Sequence, residues 1–277
     1  MAADDVSESV ATVPVTRISG REAVRARDSV AREEPLEIEI DGSSLAVVMR
    51  TPGHDEELAL GLLWSERVIA ALADVASIRH SAVAPDPESA QNVIQVRLQG
   101  GVSVDWQRLK RNLYASASCG VCGKATIEGV LCDAPPIEDR SRFPASFFHR
   151  LPERLREAQP TFAETGGLHG AALFAGDGGL VVAREDIGRH NAVDKVIGWA
   201  LERGLVPLAG HVLLVSGRIS YEIAAKALTA RVPVVAAVSA PSSLAVDLAE
   251  RSGLTLVGFL RGERFNVYAE RSRVISE

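Results

Sequence analysis

The chain is poor in cysteine. Three cysteines in 277 residues cannot staple a secreted fold, and they suit a reducing compartment where thiols stay available for chemistry. Long apolar runs are also missing: none approaches the roughly 20 residues needed to cross a bilayer. The first residues, Met1–Ala11, are acidic and polar, the opposite of a secretory leader's basic and then apolar start. A cytoplasmic protein with no membrane partner is therefore expected. Nor is there a surplus of positive charge. Thirty Lys and Arg against 36 Asp and Glu leave a net charge of −6, which argues against bulk binding of nucleic acid. What remains is ordinary for a folded chain, 47% hydrophobic and 24% charged, long enough for one large domain or two modest ones.

Two of the three cysteines stand two residues apart in Ser116-Ala117-Ser118-Cys119-Gly120-Val121-Cys122-Gly123-Lys124. Small residues on both sides leave the sulfurs accessible and the backbone free, so the segment reads as a reactive site on a mobile loop. Three chemistries are open to it. Cys119 and Cys122 are half of a tetrahedral zinc site that Cys132 and His149 could complete, although that second pair is not closely spaced. His54-Asp55-Glu56 supplies the H-x-E of a zinc deaminase, but Ser118 stands where that signature needs proline. In the third, the sulfurs act themselves. A thiolate is a strong nucleophile whose formation Lys124 favours, and a second thiol within reach can resolve a mixed disulfide or release a bound sulfur atom. Cys132, in Gly129-Val130-Leu131-Cys132-Asp133, reads as a buried free thiol.

Met1 to about Val15 is polar and aperiodic and reads as a disordered tail, residues 1–15. Leu36–Ile40 alternates, Asp41-Gly42 supplies a hairpin turn, and Leu45–Met49 continues as a strand. After Thr51-Pro52-Gly53, His54 to Ala71 carries Leu58, Leu62 and Ile69 at helical spacing, and Asn92–Leu98 alternates again. Residues 16–113 thus read as a small α+β domain, and 114–146 as the mobile CxxC loop with a proline-bearing connector. In 147–277, apolar strands at Ala171–Phe174, Leu180–Ala183, Val212–Val215, Val234–Val238, Thr255–Phe259 and Arg264–Tyr268 alternate with helices at Asn191–Arg203, Tyr221–Ala230 and Leu244–Arg251. That alternation is the pattern of a three-layer α/β domain.

Ser216-Gly217-Arg218 and Ser239-Ala240-Pro241-Ser242 are short strand-to-helix turns, which aim backbone N–H groups beyond the strand ends. Arg218, with Arg261 and Arg264 in Arg261-Gly262-Glu263-Arg264, adds guanidinium forks suited to phosphate oxygens. Short α/β loops also favour Gly and Ser for conformational reasons alone. Arg184-Glu185-Asp186-Ile187-Gly188-Arg189-His190-Asn191 is either a solvated loop capped by Asn191 or a cleft in which Arg189 and His190 face a ligand. Thr165-Gly166-Gly167-Leu168-His169 poses the same choice and by itself reads as a loop.

Six motifs in order resemble the FdhD family, sulfurtransferases required for formate dehydrogenase activity. They are Thr51-Pro52-Gly53 with Glu57–Gly61; Ser118–Gly123; Thr165–His169; Asp186–Lys195; Val215–Arg218; and Leu254–Phe259. The resemblance runs from about residue 15 to residue 270. It implies a carrier that accepts persulfide sulfur from a cysteine desulfurase. The carrier passes that sulfur to the molybdenum or tungsten of a bis(molybdopterin guanine dinucleotide) cofactor destined for formate dehydrogenase, so the cofactor is cargo and the protein holds no intrinsic metal. It further implies a larger domain of cytidine deaminase-like fold, a homodimer, Cys119 as the persulfide cysteine with Cys122 as its partner, and a cofactor-contacting stretch at Phe259, Leu260, Arg261, Gly262, Glu263 and Arg264. Arg218 and His190 join that stretch as further candidates. The competing expectation is a non-catalytic zinc-binding module built on the CxxC pair.

Overall fold

The computed structural model describes residues 8–81, 91–109 and 135–276. Regular structure begins earlier than the composition suggests. In place of a tail through Val15, β1 (Val10–Ser19) pairs antiparallel with β2 (Glu22–Ala31) over ten residues, from Val10↔Ala31 to Ser19↔Glu22. The turn is made at Gly20, whose φ of 63° costs glycine nothing. Neither strand has a buried residue, so no alternation of apolar and polar residues announces the ribbon.

The next sheet is built by such alternation. On β3 (Glu34–Ile40), Leu36, Ile38 and Ile40 turn inward and are at most 1% exposed, while Glu37 and Glu39 turn outward. β3 pairs antiparallel with β4 (Ser43–Arg50) and parallel with β6 (Val93–Leu98), and β5 (Val75–His80) closes the order β4-β3-β6-β5. The Asp41-Gly42 turn has both residues at positive φ, as a two-residue hairpin of this twist requires.

Helix α1 (Asp55–Ser65) covers this sheet and stops well short of Ala71, because Arg67 takes a left-handed φ of 56°. From Glu57 to Leu63 every residue is buried. A helix apolar all round is covered on all sides. The sheet covers one side, and α5 (Arg189–Glu202) covers the other. The two helices meet glycine to glycine. A Cβ on Gly61 would stand 1.9 Å from the Asp194 carbonyl oxygen, and one on Gly198 would stand 1.9 Å from that of Glu57.

After the two-residue strand β7 (Phe143–Pro144), the larger sheet has the order β13-β12-β11-β10-β8-β9, with β8 (His169–Phe174), β9 (Leu180–Asp186), β10 (Val212–Val215), β11 (Val234–Ala237), β12 (Thr255–Arg261) and β13 (Arg264–Val267). Its central strands are apolar on both faces because both are covered. Leu213, Val215, Val235 and Leu256 pack under α5, α6 (Tyr221–Thr229) and α7 (Ser243–Ser252). Val212, Leu214, Val234 and Val257 face Phe148, Leu151 and Leu155 on the short helices α2 (Ala145–His149) and α3 (Leu151–Glu157). A third short helix, α4 (Pro160–Thr165), leads into β8 and is capped by the Glu185 carboxylate, which accepts from the Thr161 and Phe162 amides at 3.0 and 2.8 Å.

Gly61→Ala is expected to destabilise the protein by roughly 1–3 kcal/mol, because the new methyl group can be admitted only by separating two packed helices. Urea unfolding measures it, and an unchanged midpoint would contradict the close crossing.

Candidate functional site

Strand direction gathers the candidate segments at one edge. β10, β11 and β12 run parallel, β8 runs against β10, and β9 runs against β8. The carboxyl ends of β9, β10, β11 and β12 therefore share an edge with the first residue of β8. Asp186–His190, Ser216–Ser220, Ser239–Ser242, Phe259–Arg264 and His169 all lie along it. Edges of this kind are where open α/β sheets bind ligands.

The motif Asp186–Lys195 divides into residues that face inward and residues that face out. Asp186 is fully buried, and its carboxylate accepts from Lys195 Nζ and the Gly188 amide at 2.8 Å, Asn191 Nδ2 at 2.8 Å and the Thr51 amide at 3.2 Å. Lys195, 1% exposed, also donates to the Thr51 carbonyl. Asp194 accepts from Lys226 Nζ at 2.8 Å on both oxygens and from Ser65 Oγ at 2.9 Å. Burial pushes the Asp194 carboxyl up, opposed by Lys226. These charges are saturated by protein partners, so their work is to fix the β9–α5 turn.

Arg189 and His190 face the edge. Gly217 leaves a gap where a Cβ would meet the His169 ring at 3.4 Å and the Arg189 stem at 3.6 Å. The Arg189 Nε is buried with no hydrogen-bond partner among the described residues. His190 Nε2 lies 3.2 Å from Ser220 Oγ and 3.8 Å from a Glu222 oxygen. Ser220 caps α6, its hydroxyl accepting from the Ile223 amide. Burial first, then Arg189 and Lys226, pushes the His190 imidazole down to about 4. His169 is lowered by burial and by Arg189, with Asp186 opposing. Burial works to raise Glu222, but hydrogen bonds from Ser220 and its own amide, with His190 and Arg189 beside it, hold its carboxyl below the usual range. Two imidazoles, a guanidinium and the Ser220 hydroxyl thus stand about a bare glycine turn, an arrangement suited to anionic oxygens.

Further along, the Ile219 amide donates to the Ala240 carbonyl, the Ser242 amide to the Ile219 carbonyl, and the Phe259 amide to the Ser239 carbonyl. Phe259 takes a φ of 55° at a bulge in β12 and is 45% exposed. Arg261, Gly262, Glu263 and Arg264 form the exposed β12–β13 turn, beside a groove lined by Phe259, His149, Phe265 and Asn266. Leu260 differs from its neighbours: it is fully buried in the core against α2 and α3, so only its backbone can face a ligand. Arg218 is exposed on the β10 turn.

The sequence of residues 31–275 matches the FdhD/NarQ family. The chain belongs to that family. It is 49% identical over 263 residues to the sulfur carrier protein FdhD of Mycolicibacterium paratuberculosis, covering 94% of this chain and 97% of the relative. With the protein of the same name from Streptomyces coelicolor it shares 51% over 255 residues, 89% of each. Its fold is similar to that of a formate dehydrogenase accessory protein from Desulfotalea psychrophila, with a TM-score of 0.75 and 25% identity over 96% of this chain and 99% of that one.

Within this FdhD/NarQ chain, Cys119, Cys122 and Cys132 lie outside the described residues. Of the deaminase-like triplet, Asp55 is bound by both arms of the buried Arg50 guanidinium at 3.1 and 2.9 Å, and His54 leans on Glu57 at 3.6 Å. Both have structural partners. His149, the proposed companion of Cys132, sits at the end of α2 against Phe265. His169 is the site residue that sequence reasoning left in a loop. Its signals are position, immediately before the small apolar run of β8, and its place at the end of the motif Thr165–His169.

His190 stays neutral well below the usual histidine range, so the unfolded chain binds a proton first as the pH falls. Its contribution to stability is complete above 6.5 and is lost between 6.5 and about 4. NMR titration is expected to place its midpoint near 4, and His190→Gln should flatten the pH dependence of unfolding across that window. A midpoint near 6.5 would contradict the buried geometry.

Proposed function

We propose that this FdhD/NarQ family member is a sulfurtransferase of the cytoplasm serving formate dehydrogenase. Cys119 takes sulfur from the persulfide of a cysteine desulfurase, exchanging thiolate for persulfide. Cys122 then attacks the Cys119 sulfur and breaks the S–S bond. Hydrosulfide leaves toward the molybdenum or tungsten of a bis(molybdopterin guanine dinucleotide), and the resulting Cys119–Cys122 disulfide is returned to thiols by a cellular thiol reductant. The guanine dinucleotide is cargo. The relatives named as sulfur carriers support the first part of this reading, and the formate dehydrogenase accessory protein of similar fold supports the client.

The observation that carries the cargo half is the shared edge. Six strands at about 4.8 Å spacing make it ~24 Å long, suited to an extended, multiply phosphorylated ligand rather than a small metabolite. Arg189, His169 and His190 stand at one end and Arg261 and Arg264 at the other, with N–H-rich turns between. The strand order β9-β8-β10-β11-β12, with the last three parallel, also supports reading the larger unit as cytidine deaminase-like. The domain limits 16–113 and 147–277 belong to the same proposal. Two copies of the chain form the working unit in this reading. Among the described residues no helix is long and apolar enough to cross a membrane.

Incubation with a cysteine desulfurase and cysteine should add one sulfur atom to Cys119, located by mass spectrometry. Cys119→Ala should remove that sulfur and formate dehydrogenase activation while leaving the melting curve unchanged. Sulfur loading that survives Cys119→Ala would refute the Cys119 assignment, and stoichiometric zinc lost with that cysteine would favour the metal module instead.

Replacing Arg261 and Arg264 together with alanine should weaken guanosine diphosphate binding by at least about tenfold, on the order of 1.4 kcal/mol. Unchanged affinity by titration calorimetry would remove the β12–β13 turn from the site.

A further inference from the structure

Two opposite charges at one end of the sheet edge are left unused by the protein. Arg189 opens α5 and Glu222 stands in the first turn of α6, just beyond the ends of β9 and β10. The Arg189 Nε is buried without a hydrogen-bond partner among the described residues, and an unmade buried donor is costly. Glu222 is near enough for that guanidinium to help keep its carboxyl ionised. Yet the basic group that meets the Glu222 carboxylate among the described residues is His190 Nε2, at 3.8 Å. His190 is no counter-charge, because burial keeps its imidazole neutral down to about 4. Lys226, the other cation nearby, is taken up by both oxygens of Asp194.

The combination narrows what fits. A free phosphate satisfies Arg189 but meets a second anion in Glu222, whose side chain is 48% exposed. A simple cation meets the reverse conflict. Both groups are satisfied by a planar ring with acceptors on one side and N–H donors on the next. A guanidinium forks onto a ring carbonyl and the nitrogen beyond it, as arginine does on guanine O6 and N7. A carboxylate accepts from the adjoining ring N–H and exocyclic amine in charge-assisted bonds. That edge is a 2-amino-4-oxopyrimidine. Adenine would turn its amine to the guanidinium and a bare nitrogen to the carboxylate, and so fails at both contacts. Gly217 keeps the approach open, since a Cβ there would meet the His169 ring at 3.4 Å and the Arg189 stem at 3.6 Å.

We propose that Arg189 and Glu222 read the 2-amino-4-oxopyrimidine edge of the cargo. Arg189 donates to its carbonyl oxygen, and Glu222 accepts from its ring N–H and its amine. This rests on the cargo reading above and assigns ring selection to a residue well outside the β12–β13 turn. Guanine and pterin share that edge, and the cargo carries both rings.

The imidazole resonances of His169 and His190, followed by NMR on the full-length protein, report this end of the edge alone. Guanosine diphosphate is compared with inosine diphosphate, and pterin with 4-oxopteridine; the second ligand of each pair lacks only the amine. In one pair the amine-bearing ligand should bind at least about tenfold more tightly than its partner, on the order of 1.4 kcal/mol. The pair that responds identifies the ring held here. Glu222→Gln should abolish the preference by weakening the amine-bearing ligand alone, with the melting temperature unchanged. Equal affinities within both pairs, or a preference that survives Glu222→Gln, would overturn the Glu222 assignment. So would guanosine diphosphate binding seen by calorimetry while neither pair moves an imidazole. In each of these cases the cargo reading stands. Failure of every ligand to bind, by NMR and by calorimetry, would overturn the cargo reading as well.

Discussion

Two glycines let the molecule close. Gly61 and Gly198 bring the backbones of α1 and α5 so near that neither position admits a methyl group. That approach brings Ser65 to Asp194, and Arg184 to Glu57 with paired bonds of 2.6 and 2.7 Å. Thr51, just beyond the small sheet, donates its amide to Asp186, and its hydroxyl accepts from the Ile187 amide. Buried charges are costly unless each finds a partner, and here the partners come from the two sides of the seam. Glu57 takes its guanidinium partner from across the seam, while Asp194 and Lys195 add cross-seam bonds from Ser65 and to Thr51 to the ion pairs they make with Lys226 and Asp186.

The consequence for chemistry is positional. The β9–α5 turn is held by Asp186 and Lys195 from below and by Thr51 and Met49 from the small unit. That grip leaves Arg189 and His190 aimed along the sheet edge, where Gly217 opens the space between them and His169. The N-terminal sheet therefore works as a brace for a site on the larger sheet. It keeps a guanidinium and two imidazoles in place before any ligand arrives, which lowers the ordering cost of binding.

Much of this fold was legible because burial writes itself into sequence. Val212–Val215 and Val234–Ala237, apolar on both faces, could be read directly, and so could the alternation of β3. The ribbon could not, since neither of its faces is fully buried within one chain. The apolar spacing of helix α1 continues to Ile69, past the left-handed residue Arg67 at which the helix has ended, so periodicity alone overstates its length. At the site, sequence showed which residues were polar but not which way they point. Asp186, Asp194 and Lys195 stand in the most motif-like run and are structural. His169 looked like loop and faces the site only because β8 runs against β10. Leu260 falls inside the expected contact stretch, yet strand alternation turns its side chain into the core.

If the seam holds the site, the two must open together. Native-state hydrogen exchange on the wild-type protein tests this most directly. The amides of Leu58–Leu63 in α1 and those of Ile187 and Ala192 in the braced turn should exchange through one cooperative event, with a common free energy and denaturant dependence. Release of α1 in a separate, lower-energy step while Ile187 and Ala192 stay protected would contradict the account.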